Sequence, residues 1–444
     1  MTTILYNLFV FKASVFTQNF TGGEKMENTV TTNNDSNSKA YQWFLIFLCF
    51  FIYFTAQLGR YSYTSNINLF EKTAGVTYTE AGLVSTLYFL TYGTGQIVNG
   101  LLCKRYNKRV MCLIAVLLSS AINFLVFLGV PFNSLYALWA LNAAAQSILY
   151  PSVMLTISEN VEKKYLAAAS IVMSCATTAG TFASYGISAL FSKPENFKYS
   201  FVIAAATMTF AGIAWLAGSL KMRKTSVATV ATVAPTVKTE KTETLGVPKL
   251  GLIALSELAF FAFVSYAIDG GIGTWTPTIM LNLYGLGEGF SAFLAAFLPF
   301  FSIFNSVLSE LVYVWCKSFN KRSLLLFGGT AVLSVATIFL INTHWAVLFI
   351  MLILIRLLSG AATNLYTSKA PLYLADRANA GFLSGFLNGL CYLGNAVSSF
   401  ALGLIADEQN WTLIFVVFAV GSALTMLCYP FYAAVVKKNP KKTL

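Results

Sequence analysis

Five ionisable residues interrupt stretches that are otherwise apolar: Arg60, Glu257, Asp269, Glu310 and Arg356. A charge held at the middle of a bilayer costs at least about 2.5–3.5 kcal/mol, so each of these should face protein or water and have a partner or a task. A guanidinium grips a carboxylate or phosphate by two parallel hydrogen bonds. Arg60 and Arg356 therefore point to recognition of an anionic or zwitterionic solute. Asp269 has two readings: a fixed partner for one arginine, or a carrier for a coupling proton if burial favours its neutral form. Tyr63, Gln96, Thr177, Trp275, Asn364 and Asn388 accompany the charges along the same stretches. Each is equipped to orient a solute or to hydrogen-bond across helices.

Other chemistries lack their residues. The chain has one histidine, His344, and seven cysteines with no Cys-x-x-Cys pair, so no metal centre or disulfide framework is expected. It carries no Gly-Lys-Ser/Thr phosphate loop, which argues against direct use of ATP. No acid/base pair is grouped for catalysis, and the chain is read as neither an enzyme nor a cofactor protein. The net charge of +12 falls in short segments rather than in one stripe, which argues against nucleic acid as a partner.

The elements that must position these charges are membrane helices. Of 444 residues, 57% are hydrophobic and only 10% charged, against about 25% charged in a soluble domain. A helix needs about 20 apolar residues to cross the hydrocarbon. Twelve stretches qualify: 42–62, 80–103, 110–129, 133–157, 165–191, 200–220, 251–280, 289–315, 323–341, 345–367, 379–405 and 411–436. The runs are continuous and about twice the length of a barrel strand, so the fold class is an all-α polytopic membrane protein. At 1.5 Å per residue, Arg356 lies about 16 Å into its span, near the midplane. Glu257 and Glu310 fall nearer one face.

Lysine and arginine set the expected topology. Lys104, Arg105, Lys108, Arg109, Lys163, Lys164, Lys317, Lys321, Arg322, Lys369 and Arg377 all fall in alternate connections, while the others hold only Lys72, Lys193 and Lys198. The basic connections and both termini are therefore expected to be cytoplasmic. Residues 1–40 read as a disordered cytoplasmic tail, because the apolar stretch from Ile4 to Val10 is too short for a secretory leader and lacks a basic start. Residues 41–220 and 251–436 read as two six-helix bundles, joined by a cytoplasmic linker at 221–250 and followed by a basic tail at 437–444. The bundles repeat: Cys103-Lys-Arg-Tyr-Asn-Lys-Arg109 recurs as Cys316-Lys-Ser-Phe-Asn-Lys-Arg322, each between the second and third span of its half. Parallel six-span repeats build the major facilitator fold.

Three groups of motifs resemble the organophosphate:phosphate antiporters of that superfamily. They are Gly59-Arg-Tyr-Ser-Tyr-Thr64 with Tyr92-Gly-Thr-Gly-Gln-Ile-Val-Asn-Gly100 and Asn107-Lys-Arg109; Tyr266 through Trp275-Thr-Pro-Thr278; and Ala380-Gly-Phe-Leu-Ser-Gly-Phe386 with Tyr392-Leu-Gly394, running on to Asp407 and Trp411. The resemblance implies alternating access, a monomer, and phosphate held by arginines in spans one and seven with a histidine and a lysine. Arg60 matches the first arginine. Asp269 stands at the second, Thr177 at the histidine and Gln96 at the lysine. A carboxylate there repels a phosphate dianion, so a carboxylate or amphoteric solute is the better expectation. In the loop signature after Gly100, Lys104 occupies the usual acidic position. Glu257 and Glu310 are candidates for the missing anionic partner, and with Gly100, Lys104, Arg105 and Lys317 they form the expected gate.

The resulting expectation is a secondary transporter for a small, anionic or zwitterionic organic solute, coupled to a proton or to a counter-transported anion. It would sit in a plasma membrane, such as a bacterial inner membrane, with lipid as its surroundings. A transporter-shaped solute sensor is the alternative.

Overall fold

The computed structural model describes residues 39–102, 105–221, 252–316, 319–373 and 380–437. Its helices are α1 (Lys39–Thr64), α2 (Ile67–Ala74), α3 (Tyr78–Leu102), α4 (Lys108–Leu128), α5 (Ser134–Asn160), α6 (Lys163–Leu190) and α7 (Tyr199–Gly218), followed by α8 (Leu252–Tyr284), α9 (Glu288–Trp315), α10 (Phe319–Leu340), α11 (Trp345–Asn364), α12 (Ala370–Tyr373), α13 (Ala380–Asp407) and α14 (Trp411–Lys437). Among the described residues there is no strand, and all helices but the short α2 and α12 run for 20 to 33 residues. The helices follow the expected spans to within a few residues. The proposed tail at 1–40 lies outside the described residues apart from its last two, as does nearly all of the linker at 221–250.

Among the described residues, ten helices are long and apolar enough to cross a membrane. The other two long helices, α3 and α5, reach the required length but carry more polar residues. Their polarity is spent inside the protein: α5 buries Asn142, Gln146 and Ser147, and α3 packs Gly95 against Ser147. The lipid-facing helices expose large apolar side chains instead, including Phe210 and Ile213 on α7 and Val332 and Phe339 on α10.

Lipid provides little drive for helices to associate, so close approach through small residues must do it. The α3–α13 and α8–α13 seams show this. A β-carbon at Gly82 would lie 2.5 Å from the carbonyl of Ser399, and one at Gly394 would lie 2.2 Å from the carbonyl of Phe263. Both obstacles are backbone and cannot swing aside. One apolar cluster runs through both halves, from Tyr63 and Trp139 to Trp275, Leu352 and Phe415.

The helices alternate in direction, so charged groups collect at one end. Lys108 pairs with Glu159 at 2.5 Å, and Lys369 with Glu310 at 2.7 Å. Trp215 donates to the carbonyl of Arg109 at 3.0 Å, and Gln42 donates to Glu162 at 2.8 Å. This is the basic end. Polar contacts that join the two halves are found elsewhere. Lys72 meets Glu288 at 2.5 Å, and Thr278 donates to Asn68 at 2.7 Å. Midway along, Thr86 donates to the carbonyl of Ala396 at 2.8 Å, and Tyr185 to that of Gly273 at 2.8 Å. Among the described residues, these polar contacts between the halves run from the opposite end to the middle.

Candidate solute-binding site

Arg60 stands on α1, one turn before the end of that helix, and is buried at 4% exposure. Its Nε donates to the hydroxyl of Tyr88 on α3 at 2.8 Å. That hydroxyl donates in turn to Oε1 of Gln146 at 2.7 Å. Gln146 Nε2 then reaches the Ser119 hydroxyl at 2.9 Å and Asn142 Oδ1 at 3.2 Å. A four-helix chain of hydrogen bonds, from α1 through α3 and α5 to α4, thereby fixes one edge of the guanidinium. One face is fixed too, since its carbon lies 3.9 Å from the Tyr92 ring centroid. The Tyr88 ring lies 5.3 Å away. A cation over aromatic faces is stabilised by their quadrupoles, more so where water is excluded. No carboxylate among the described residues pairs with Arg60, and its positive charge is left uncompensated.

The rings extend across the interface of the halves. Tyr92 meets Tyr392 of α13 edge-on at 4.8 Å, and Tyr392 meets Tyr266 of α8 at 5.5 Å. Tyr266 is within electrostatic reach of both Arg60 and Asp269. Arg356 is handled differently. Its Nε donates to Oδ1 of Asp269 at 3.2 Å, with the side chains 15% and 12% exposed. Gly273, one turn beyond Asp269, makes room for the guanidinium: a β-carbon there would lie 3.2 Å from it. The Gly273 carbonyl takes the cross-half bond from Tyr185, so this pair also borders the interface.

The remaining expected residues divide. Gln96 lies one turn past Tyr92 and Asn388 one turn before Tyr392, both half-buried on the seam helices α3 and α13. Thr177 is exposed on α6, and its carbonyl accepts from Thr181. Asn364 donates to Ser306 at 3.0 Å, a bond between α11 and α9. Two residues stand apart from the tyrosine cluster around Arg60. Tyr63 is fully buried against Phe70 and Trp139, with its hydroxyl on the carbonyl of Ala81 at 3.0 Å. Trp275 is fully buried beside Tyr78. Both belong to the packed core on the face away from the basic end.

Among the gate candidates, Glu310 pairs with Lys369 within one half. Glu257 lines a small cavity with Phe261, Ser323, Phe327 and Met426. Gly100 lies in the last turn of α3, and Arg105 is exposed in the turn that follows. Lys104 and Lys317 lie outside the described residues. A π-turn at Leu365–Lys369 extends α11 and carries Lys369 to Glu310. Such wide turns gather at functional positions.

Sequence reasoning passed over Tyr88 and Gln146, and met Tyr266 and Tyr392 only as parts of motifs, with no role at the site. The usable signal was the i, i+4 spacing of Tyr88 and Tyr92, which puts two rings on one helix face.

The long apolar helices, ten of them able to cross a membrane among the described residues, define a polytopic helical membrane protein. The Major Facilitator Superfamily model matches residues 49–341, and the chain belongs to that superfamily. Its fold is similar to that of a bacterial homologue of the human lysosomal transporter Spinster, solved inward-facing and occupied. That match has a TM-score of 0.69 at 15% identity and covers 92% of this chain and 99% of the other. The nucleoside transporter NupG aligns at a TM-score of 0.62 and 13% identity, over 88% of this chain and 98% of that one. A POT family transporter complexed with 5-aminolevulinic acid aligns at 0.65 and 15%, over 90% and 96%. In sequence, a segment of 76 residues is 32% identical to the membrane sensor protein UhpC of Salmonella typhimurium. The match spans 17% of this chain and 17% of that relative.

Proposed function

We propose that this protein is a secondary transporter that moves a small anionic or zwitterionic organic solute across a plasma membrane by alternating access. The observation that carries the reading is the contrast between Arg60 and Arg356. Arg356 is neutralised by Asp269, whereas Arg60 is held by tyrosines and keeps its charge. A buried cation without a counter-ion is costly unless an anion joins it, and a solute carboxylate would complete Arg60. Tyr88 holds Nε and Tyr92 covers a face, so the two terminal nitrogens remain to form the fork. The tyrosine rings would flank the body of the solute. Thr177, Gln96 and Asn388 would be its polar neighbours.

With the basic end in the cytoplasm, both termini are cytoplasmic and the halves are closed on the outer side. The site then opens inward. The linker at 221–250 would let the halves rock about it. Coupling would come from a proton, with Asp269 as its carrier, or from exchange for a second anion. The working unit would be a monomer. A sensor is the second reading, and the segment shared with UhpC is what favours it.

Purified protein should be screened by thermal shift against sugar acids, amino acids and phosphate esters, and its hits then used in proteoliposome uptake. Arg60→Ala should abolish both the shift and the uptake while leaving folding intact. Binding without uptake supports the sensor. Uptake that survives Arg60→Ala removes the anion site.

A further inference from the structure

The start of α3 is capped twice, from two different halves of the molecule. Its own cap is a reciprocal box. Thr77 donates its backbone N–H to Oε2 of Glu80 at 2.8 Å, and the Glu80 N–H returns to the Thr77 hydroxyl at 3.1 Å. A box of this kind satisfies the cap residue and the third helical residue, and leaves the first two N–H groups open. Those two are taken by the last residue of α13. Asp407 Oδ1 accepts from Tyr78 N at 2.6 Å, and Oδ2 accepts from Thr79 N at 2.9 Å and also from the Thr79 hydroxyl. Both carboxylate oxygens are used on a helix belonging to the other half.

We infer that Asp407 is a gating residue, a latch that holds the two halves together at the end opposite the basic one and is released each time the site opens there. The inference rests on the alternating-access reading above.

Its chemistry suits a reversible contact. A carboxylate at a helix N-terminus gains from the positive end of the helix dipole as well as from its hydrogen bonds. Asp407 lies at the surface, so release leaves the carboxylate and both N–H groups to water, with no group stranded in lipid. The contact also has support on either side. Asn282 of α8 donates to the Tyr78 hydroxyl at 3.0 Å, and Lys72 pairs with Glu288 at the start of α9. Gly403, one turn before Asp407, lies directly under the Tyr78 carbonyl. Separation of the halves at this end must therefore break the Asp407 contacts first or together with these.

The test needs no solute. In the full chain in lipid nanodiscs, Cys175 and Cys428 are replaced by serine, and spin labels are placed at Glu195→Cys and Thr343→Cys, two exposed sites in different halves at the latched end. The distance between them is read by pulsed electron resonance. Asp407→Asn should raise the ratio of the longer distance population to the shorter by about fivefold, the worth of one exposed cap. Thr79→Pro is the independent variant. It removes the Thr79 N–H and hydroxyl, and it costs the helix no bond of its own, because the N–H groups of the first turn have no intrahelical partner. It should move the ratio in the same direction. Parent-like distances in both variants overturn the latch and leave the transport reading untouched. A raised longer population in a protein that transports nothing upholds the latch and overturns the transport reading.

Discussion

Breaking the Arg356–Asp269 pair should destabilise the protein in a way that depends on which partner is removed. Both side chains are largely withdrawn from solvent, at 15% and 12% exposure, and they meet through one hydrogen bond of 3.2 Å. Removing one member of a buried pair costs about 3–5 kcal/mol, because the survivor is left charged in a poor solvent. A single bond of this length places the cost near the lower figure. For Asp269→Asn the survivor is a guanidinium, which cannot give up its proton. For Arg356→Met the survivor is a carboxyl, which can take one up and become neutral. Asp269→Asn should therefore lower the melting temperature by about 3 °C, since for a chain of this length each kcal/mol is worth about 1 °C. Arg356→Met should lower it less. The double variant Asp269→Asn/Arg356→Met removes both charges and should recover most of the loss. The assay is intrinsic-fluorescence melting of all four proteins in one detergent, analysed as a double-mutant cycle. Additive losses, or an Asp269→Asn protein within about 1 °C of the parent, would show that the pair is solvated and contributes no charge compensation.

Two further outcomes follow from the same geometry. Tyr88→Phe removes the hydroxyl that accepts from Arg60 and donates to Gln146, and leaving such partners unpaired costs about 1–3 kcal/mol. Solute affinity should fall by about tenfold with the fold unchanged, as read by titration calorimetry of the best screening hit. Gly394→Leu must force a side chain against the Phe263 carbonyl, 2.2 Å from the β-carbon position. The helices α8 and α13 would have to part, so a monodisperse peak on size-exclusion chromatography should be lost.

The helical plan was legible because lipid imposes it. A backbone in hydrocarbon must satisfy its own hydrogen bonds, so a continuous apolar run of sufficient length has one conformation open to it. The helices α3 and α5 show the limit of apolarity as a guide, since Gln146 and Asn142 sit within α5 and hydrogen-bond across to Tyr88 of α3 and Ser119 of α4. The placement of Arg60, Asp269 and Arg356 inside long helices was also legible. The choice of partner was not. Whether Asp269 joined Arg60 or Arg356 depended on how α8 and α11 pack, and both pairings were open in sequence. The Asp407 contacts were hidden for the same reason: Tyr78 and Asp407 are separated by 329 positions, and a surface aspartate at a helix end attracts no notice until the other half is placed beside it.

The two arginines illustrate two ways of holding a guanidinium within a helical membrane protein, and on the proposed function the difference bears on which solute could bind. An ion pair with a neighbouring carboxylate, as at Arg356, cancels the charge and offers a solute only a dipole. A hydrogen bond from Nε together with aromatic faces, as at Arg60, fixes the plane of the group and leaves the charge in place. Summed over Arg60, Arg356 and Asp269, the centre carries one net positive charge. A solute with one negative charge neutralises it, whereas a dianion would leave an excess in a medium of low dielectric. Where the resemblance to the organophosphate:phosphate antiporters implies further cations, this chain holds Gln96, Thr177 and Asp269. On the proposed function, tyrosine would serve here better than an acid, because it stabilises the cation without competing for a bound anion.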